Sequence, residues 1–193
     1  MQTLCKILSF TVAKVDHTNH DCLLVAFMTH GEDNGILSAY DHIFKSDEVF
    51  ERFKSDRVPS LAGKPKIFLF QACRGKRLEE SVPTLSSEIM DTTDSVPVRS
   101  FILPSTADFL FVYSSMEGHY SWRHPEKGSW FIQDLCKELN KDARTKDILS
   151  IVTNTLRRVA YTRFSSTPTR ADMNRRQQMP VFSSTLTRFL YFE

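Results

Sequence analysis

Three short apolar runs, each closed by small or polar residues, constrain the fold of this chain most: Cys22-Leu23-Leu24-Val25-Ala26-Phe27-Met28, Lys66-Ile67-Phe68-Leu69-Phe70 and Asp108-Phe109-Leu110-Phe111-Val112-Tyr113. They are too short for buried helices, and their near-continuous apolar character suits strands of a sheet covered on both faces. Between the first two, Ser46-Asp47-Glu48-Val49-Phe50-Glu51-Arg52-Phe53 offers a cap, acidic first-turn residues and apolar positions at helical spacing. Two further helices are expected, one over about Ser129 to Asn140 and one over about Thr145 to Thr162, where Ile148, Ile151, Val152, Thr155, Leu156 and Val159 recur at steps of three and four. A last strand is expected over Thr185 to Phe192. The class is α/β, a central mostly parallel sheet with helices on both faces.

The 193 residues suffice for one hydrophobic core, and 41% apolar with 25% charged content is that of an ordinary globular protein. The net charge of +2 is spread along the chain with no basic block to track phosphates, so no nucleic acid partner is implied. No window holds enough apolar residues for a membrane span, and a cytoplasmic location is expected. Cys5, Cys22, Cys73 and Cys136 stand far apart without a C-x-x-C pair, which fits free thiols and neither a disulfide framework nor a metal site. No cofactor is expected.

Two of the strands end in chemically unusual residues: His30-Gly31 after the first, Gln71-Ala72-Cys73-Arg74-Gly75 after the second. In open α/β sheets the carboxyl ends of the strands form the ligand crevice, so a thiol and an imidazole are expected to meet there. A thiol attacks a carbonyl as thiolate, and a neighbouring imidazole can take its proton and later return it to the leaving amine. Gly31 and Gly75 lack a Cβ, which lets backbone N–H groups approach a developing oxyanion.

The pentapeptide Gln71-Ala72-Cys73-Arg74-Gly75, with His30 lying 43 residues upstream, resembles the Q-A-C-[RQG]-G signature of caspases, whose catalytic His stands about fifty residues before the Cys. Thr29-His30-Gly31-Glu32, Leu61-Ala62-Gly63-Lys64-Pro65-Lys66, Ala107-Asp108-Phe109-Leu110, Tyr120-Ser121-Trp122-Arg123, Gly128-Ser129-Trp130-Phe131 and Gln178-Met179-Pro180 follow the family's order. The resemblance runs from about Asp16 to the C-terminus and is nearest the executioner branch.

The resemblance implies an aspartate-specific cysteine endopeptidase of apoptosis-type proteolysis. Cys73 would be the nucleophile, His30 the acid/base, and the N–H groups of Gly31 and Cys73 the oxyanion hole. Gln71 and Arg123 would hold the substrate aspartate. Arginine suits that task because its planar fork pairs bidentately with a carboxylate. Tyr120 and Trp122 would wall the next subsite, the Ser121 and Arg123 backbone would receive the peptide as a strand, and Trp130 would wall a more distant pocket. The partners implied are proteins bearing Asp before the scissile bond, a second copy or another caspase, and proteins of the inhibitor-of-apoptosis type.

Gly75 to Ser105, rich in Ser and Thr and carrying Pro83, Pro97 and Pro104, has no sustained period and reads as a loop or linker. By resemblance, residues 1–75 form a large-subunit part, 76–105 an intersubunit linker and 106–193 a small-subunit part. Asp91-Thr92-Thr93-Asp94 before Ser95 then predicts maturation of a zymogen by cleavage after Asp94, with Asp91 four positions from the cut.

The sequence departs from the family in places. No Arg stands before His30, where the family keeps its second carboxylate-binding Arg, and the family's first strand is expected to be missing. Met1 falls inside the expected first helix, with Leu4, Ile7, Leu8 and Val12 at helical spacing. Met173 stands where the family often has Phe, and His124-Pro125 replace small polar residues. The alternative reading is a weak or inactive homologue that partners and regulates active caspases.

Overall fold

The computed structural model describes residues 12–79 and 104–192. Residues of the expected first helix before Val12, and the expected processing residues Asp91 and Asp94, lie outside them. The elements in chain order are β1 (Leu23–Met28), β2 (Ile36–Ser38), β3 (Ile43–Lys45), α1 (Ser46–Phe50), β4 (Lys66–Gln71), β5 (Phe109–Tyr113), β6 (Arg123–His124), β7 (Gly128–Ser129), α2 (Trp130–Asp142), α3 (Ile148–Thr162) and β8 (Val181–Ser184), with short 3-10 turns at Glu51–Phe53, Pro59–Leu61 and Ala171–Met173.

The main sheet has the order β1-β4-β5-β8, with β1, β4 and β5 parallel and β8 antiparallel to β5. Alternation along β4 feeds two cores. Phe68 and Phe70 pack with Val49, Phe53 and Leu61 on one face, while Ile67 joins Phe131, Leu135, Ile148 and Val152 of α2 and α3 on the other. Registered neighbours stack across strands: the Phe70 ring lies 5.4 Å from Phe27 and 5.0 Å from Tyr113, both nearly parallel. On β1 the covering is partial, since Leu24 and Met28 are 52% and 68% exposed.

The helices follow from the sequence. The Asp147 carboxylate caps α3, accepting the Leu149 and Ser150 N–H groups at 2.9 and 3.2 Å. Asp134 on α2 is fully buried and accepts two hydrogen bonds from Arg163 just past α3, at 2.8 and 2.7 Å, with Arg158 at 3.3 Å. Burial works to raise the Asp134 pKa, but the Arg163 hydrogen bonds and charge, helped by Lys137, hold it below the usual carboxylate value.

The last strand differs from expectation, and the β2–β3 and β6–β7 hairpins were not expected. The last strand is Val181–Ser184, not Thr185 to Phe192. Thr185 still donates to Phe109 O at 2.8 Å, but Asp108 then takes the Thr187 N–H and hydroxyl at 3.0 and 2.6 Å and bends the chain off the sheet. Beyond the bend, Leu186, Leu190 and Phe192 pack against the α2–α3 core as irregular chain. The β2–β3 hairpin is an addition; it follows Asn34-Gly35, both at positive φ (61° and 70°), a conformation that dipeptide favours.

Candidate active site

The parallel pairing of β1 with β4 brings the expected dyad to one end of the sheet. Met28 is registered with Gln71, so His30 and Cys73 each stand two positions beyond a paired residue, and Thr29 N–H extends the ladder to Gln71 O at 3.1 Å. The backbones then close on each other: a Cβ at Gly31 would sit 2.5 Å from Cys73 O. Only a glycine hydrogen fits there. His30 is exposed and Cys73 half-buried.

Gly31 is bridged to Leu37 of β2 by flanking bonds, Glu32 N–H to Ile36 O at 3.0 Å and Ser38 N–H to His30 O at 2.9 Å. By strand alternation the Gly31 N–H itself points away from β2.

The third wall is the segment Tyr120 to Arg123. Trp122 N–H donates to Gln178 Oε1 at 2.6 Å and Trp122 O accepts from Trp130 N–H at 3.2 Å, which turns the Ser121 and Arg123 amide edges the other way. That edge meets the Cys73 thiol. Cys73 Sγ lies 3.7 Å from Ser121 O, and Ser121 N–H donates to Sγ at 3.5 Å. Gln71 Nε2 donates to Ser121 Oγ at 2.8 Å, and its buried Oε1 has no partner among the described residues. Since a hydroxyl both donates and accepts, this amide can flip so that Oε1 accepts from Ser121 Oγ, which frees Nε2 to donate to a carboxylate.

Trp122 stacks on Trp130 with ring centres 5.8 Å apart, and Tyr120 lies tilted 6.4 Å from Trp122. Trp130 is the first residue of α2 and is itself buried, so it backs the aromatic wall. Arg123 is exposed in β6. Arg74, although next to Cys73, is otherwise engaged: its guanidinium lies 4.1 Å from the Tyr113 ring centre, donates to Ser115 O at 3.4 Å and pairs with Glu117. Arg123 is therefore the better placed of the two to read a substrate charge.

Sequence reasoning missed three residues here: Glu117, Ser114 and Gln178 as a contact. In the sequence, Gln178 stands out only through its place in family order. Among the described residues no group of three or more His, Cys, Asp or Glu side chains could hold a metal ion, and no helix is long and apolar enough to cross a membrane. Cys22, Cys73 and Cys136 are free thiols.

A profile of the caspase domain matches residues 1–191. Over 180 residues the chain is 43% identical to Caspase-1 of Spodoptera frugiperda, covering 93% of this chain and 58% of that protein, and it is equally identical to Caspase-1 of Drosophila melanogaster, covering 55% of that one. It is 36% identical to Caspase-7 of Gallus gallus, covering all of this chain and 60% of the relative. The chain thus spans less than two thirds of the length of these relatives. The crystal structure of Caspase-1 from Spodoptera frugiperda superposes with a TM-score of 0.87 at 41% identity, covering 97% of this chain and 69% of that one. Profile, relatives and fold agree: the chain belongs to the caspase domain family.

Proposed function

We propose that this chain carries out aspartate-directed cysteine endoproteolysis. The observation that carries the reading is the convergence at one sheet end of three parts: Cys73, the loop of His30 and Gly31, and the Ser121–Arg123 amide edge against Sγ. In the reaction, His30 takes the Cys73 thiol proton. The thiolate bonds to the carbonyl carbon after which the chain is cut, and the N–H groups of Gly31 and Cys73 stabilise the oxyanion. As the C–N bond breaks, His30 returns the proton to the leaving amine. Water, deprotonated by the same imidazole, then hydrolyses the thioester and frees the thiol. Gln71 and Arg123 hold the substrate aspartate, with Tyr120, Trp122 and Trp130 walling the adjoining subsites.

The finer reading follows the resemblance. The chain is a cytoplasmic zymogen of apoptosis-type proteolysis, cut after Asp94 between a large part (1–75) and a small part (106–193). It pairs with a second copy or another caspase, and β8 supports pairing because it ends the sheet at the side opposite β1. Inhibitor-of-apoptosis-type proteins are its regulatory partners.

The test is turnover of a fluorogenic peptide ending in aspartate, with Cys73→Ala as control. Release abolished by the substitution supports the reading; equal signal from both proteins ends it. For maturation, mass spectrometry of the expressed chain should find a fragment ending at Asp94, and cleavage confined to other positions would end that part.

A further inference from the structure

Gln178 is almost wholly buried, at 1% exposure, and its amide is used at both ends. Oε1 accepts the Trp122 N–H at 2.6 Å and Nε2 donates to Ser114 O at 2.7 Å. A backbone N–H can only donate and a carbonyl only accept, so the orientation of this amide is fixed by its neighbours. Ser114, at the end of β5 and with no exposed surface, continues the chain of bonds: its hydroxyl donates to Ala72 O at 3.0 Å and accepts the Ala72 N–H at 3.3 Å. Ala72 precedes the nucleophile.

We propose that Ser114 and Gln178 are positioning residues: together they form a buried polar relay, Ala72–Ser114–Gln178–Trp122, that sets the distance between Cys73 and the peptide-receiving edge at Ser121 and Arg123. The role in catalysis rests on the protease reading above, while the relay as a mechanical link does not. The segment from Tyr120 to His124 is also held by Tyr120 N–H to Arg77 O at 2.9 Å, by Gln71 and Cys73 at Ser121, and by Trp130 at Trp122, but Gln178 is the most deeply buried of its partners. β6 is two residues long and its partner β7 is a hairpin arm of the same length, both largely outside the core. A short ribbon of this kind is at the low-stability end of a fold, and its register against the nucleophile needs a buried anchor. Neither Ser114 nor Gln178 meets substrate.

The test compares the full wild-type chain with Gln178→Met, which keeps length and removes both hydrogen bonds, and with Ser114→Ala, a smaller change that retains the fold if the first does not. Backbone hydrogen exchange reads the relay without any need for turnover. Exchange at Tyr120–His124 should rise about tenfold in Gln178→Met, and at Ala72–Arg74 in Ser114→Ala, while α2 and α3 stay as protected as in the wild type. Turnover of the aspartate-ended peptide should fall about 100-fold, with iodoacetamide alkylation of Cys73 changed far less, because the small reagent needs no bound peptide and feels the edge only through the 3.5 Å Ser121 N–H contact to Sγ. Unchanged exchange at Tyr120–His124, or a rise spread evenly over β4, β5 and α2, overturns the relay. A wild-type chain that protects this segment but cleaves nothing ends the protease reading and leaves the relay standing.

Discussion

Glu117 Oε1 accepts the backbone N–H of Asn34 at 2.7 Å, across 83 positions of sequence. The other carboxylate oxygen pairs with Arg74, so one side chain ties the loop after His30 to the residue after Cys73. The carboxylate is nearly half exposed, and such pairs add little to global stability. Glu117→Ala should therefore leave the unfolding temperature nearly unchanged while lowering kcat on an aspartate-ended peptide about tenfold. Glu117→Gln, which keeps an acceptor for Asn34, should recover part of the loss. Calorimetry and steady-state kinetics on the same preparations check this.

At Gly31 the loops of His30 and Cys73 pack backbone against backbone. A methyl group there meets backbone, Cys73 O at 2.5 Å and Ile36 O at 3.0 Å, which cannot swing aside as a side-chain tip would. Gly31→Ala should push the loops apart and lower turnover by about 100-fold or more, with the chain still folded by circular dichroism.

Arg123 and Arg74 make a contrast that kinetics can read. Arg123→Lys should raise KM for aspartate-ended peptides, because a point charge replaces a bidentate fork. Arg123→Ala should cost about 2–5 kcal/mol in kcat/KM. Neither change should alter alkylation of Cys73 by iodoacetamide.

Asp134 predicts an acid limb in the stability curve. Its folded pKa is depressed below the unfolded value of 3.8, so its contribution is fully present above about pH 4 and is lost as pH falls through the lower folded value. Asp134→Asn should flatten that limb and cost about 3 kcal/mol at neutral pH by leaving Arg163 without its buried partner. Urea unfolding at a series of pH values measures both effects.

β4 was legible because burial on both faces leaves Ile67–Phe70 with no alternative pattern to adopt, and β1 because its short apolar run persists although one face is partly exposed. The placement of Cys73 and His30 at neighbouring strand ends was legible because both directly follow those strands in sequence. The last strand was placed too late because alternation continues past Ser184, and nothing local says that Asp108, 79 positions before Thr187, captures that residue and turns the chain away. The β2–β3 hairpin was missed although Asn34-Gly35 marks its approach, since strands of three residues give too little periodicity to detect. Gln178, Ser114 and Glu117 owe their roles to partners 42 to 83 positions away, and contacts of that range leave no trace in spacing.

The file of rings Phe27, Phe70 and Tyr113 gives the core a second task. Phe27 precedes His30 by three positions, Phe70 precedes Cys73 by three, and Tyr113 abuts Ser114, so the rings act as shims between the strands that lead to these residues. Thinning a shim misaligns the parts it separates before it loosens the whole. Accuracy at this site is thus set in dry interior, where a substitution such as Phe70→Leu would blunt catalysis in a molecule that still melts as one cooperative unit.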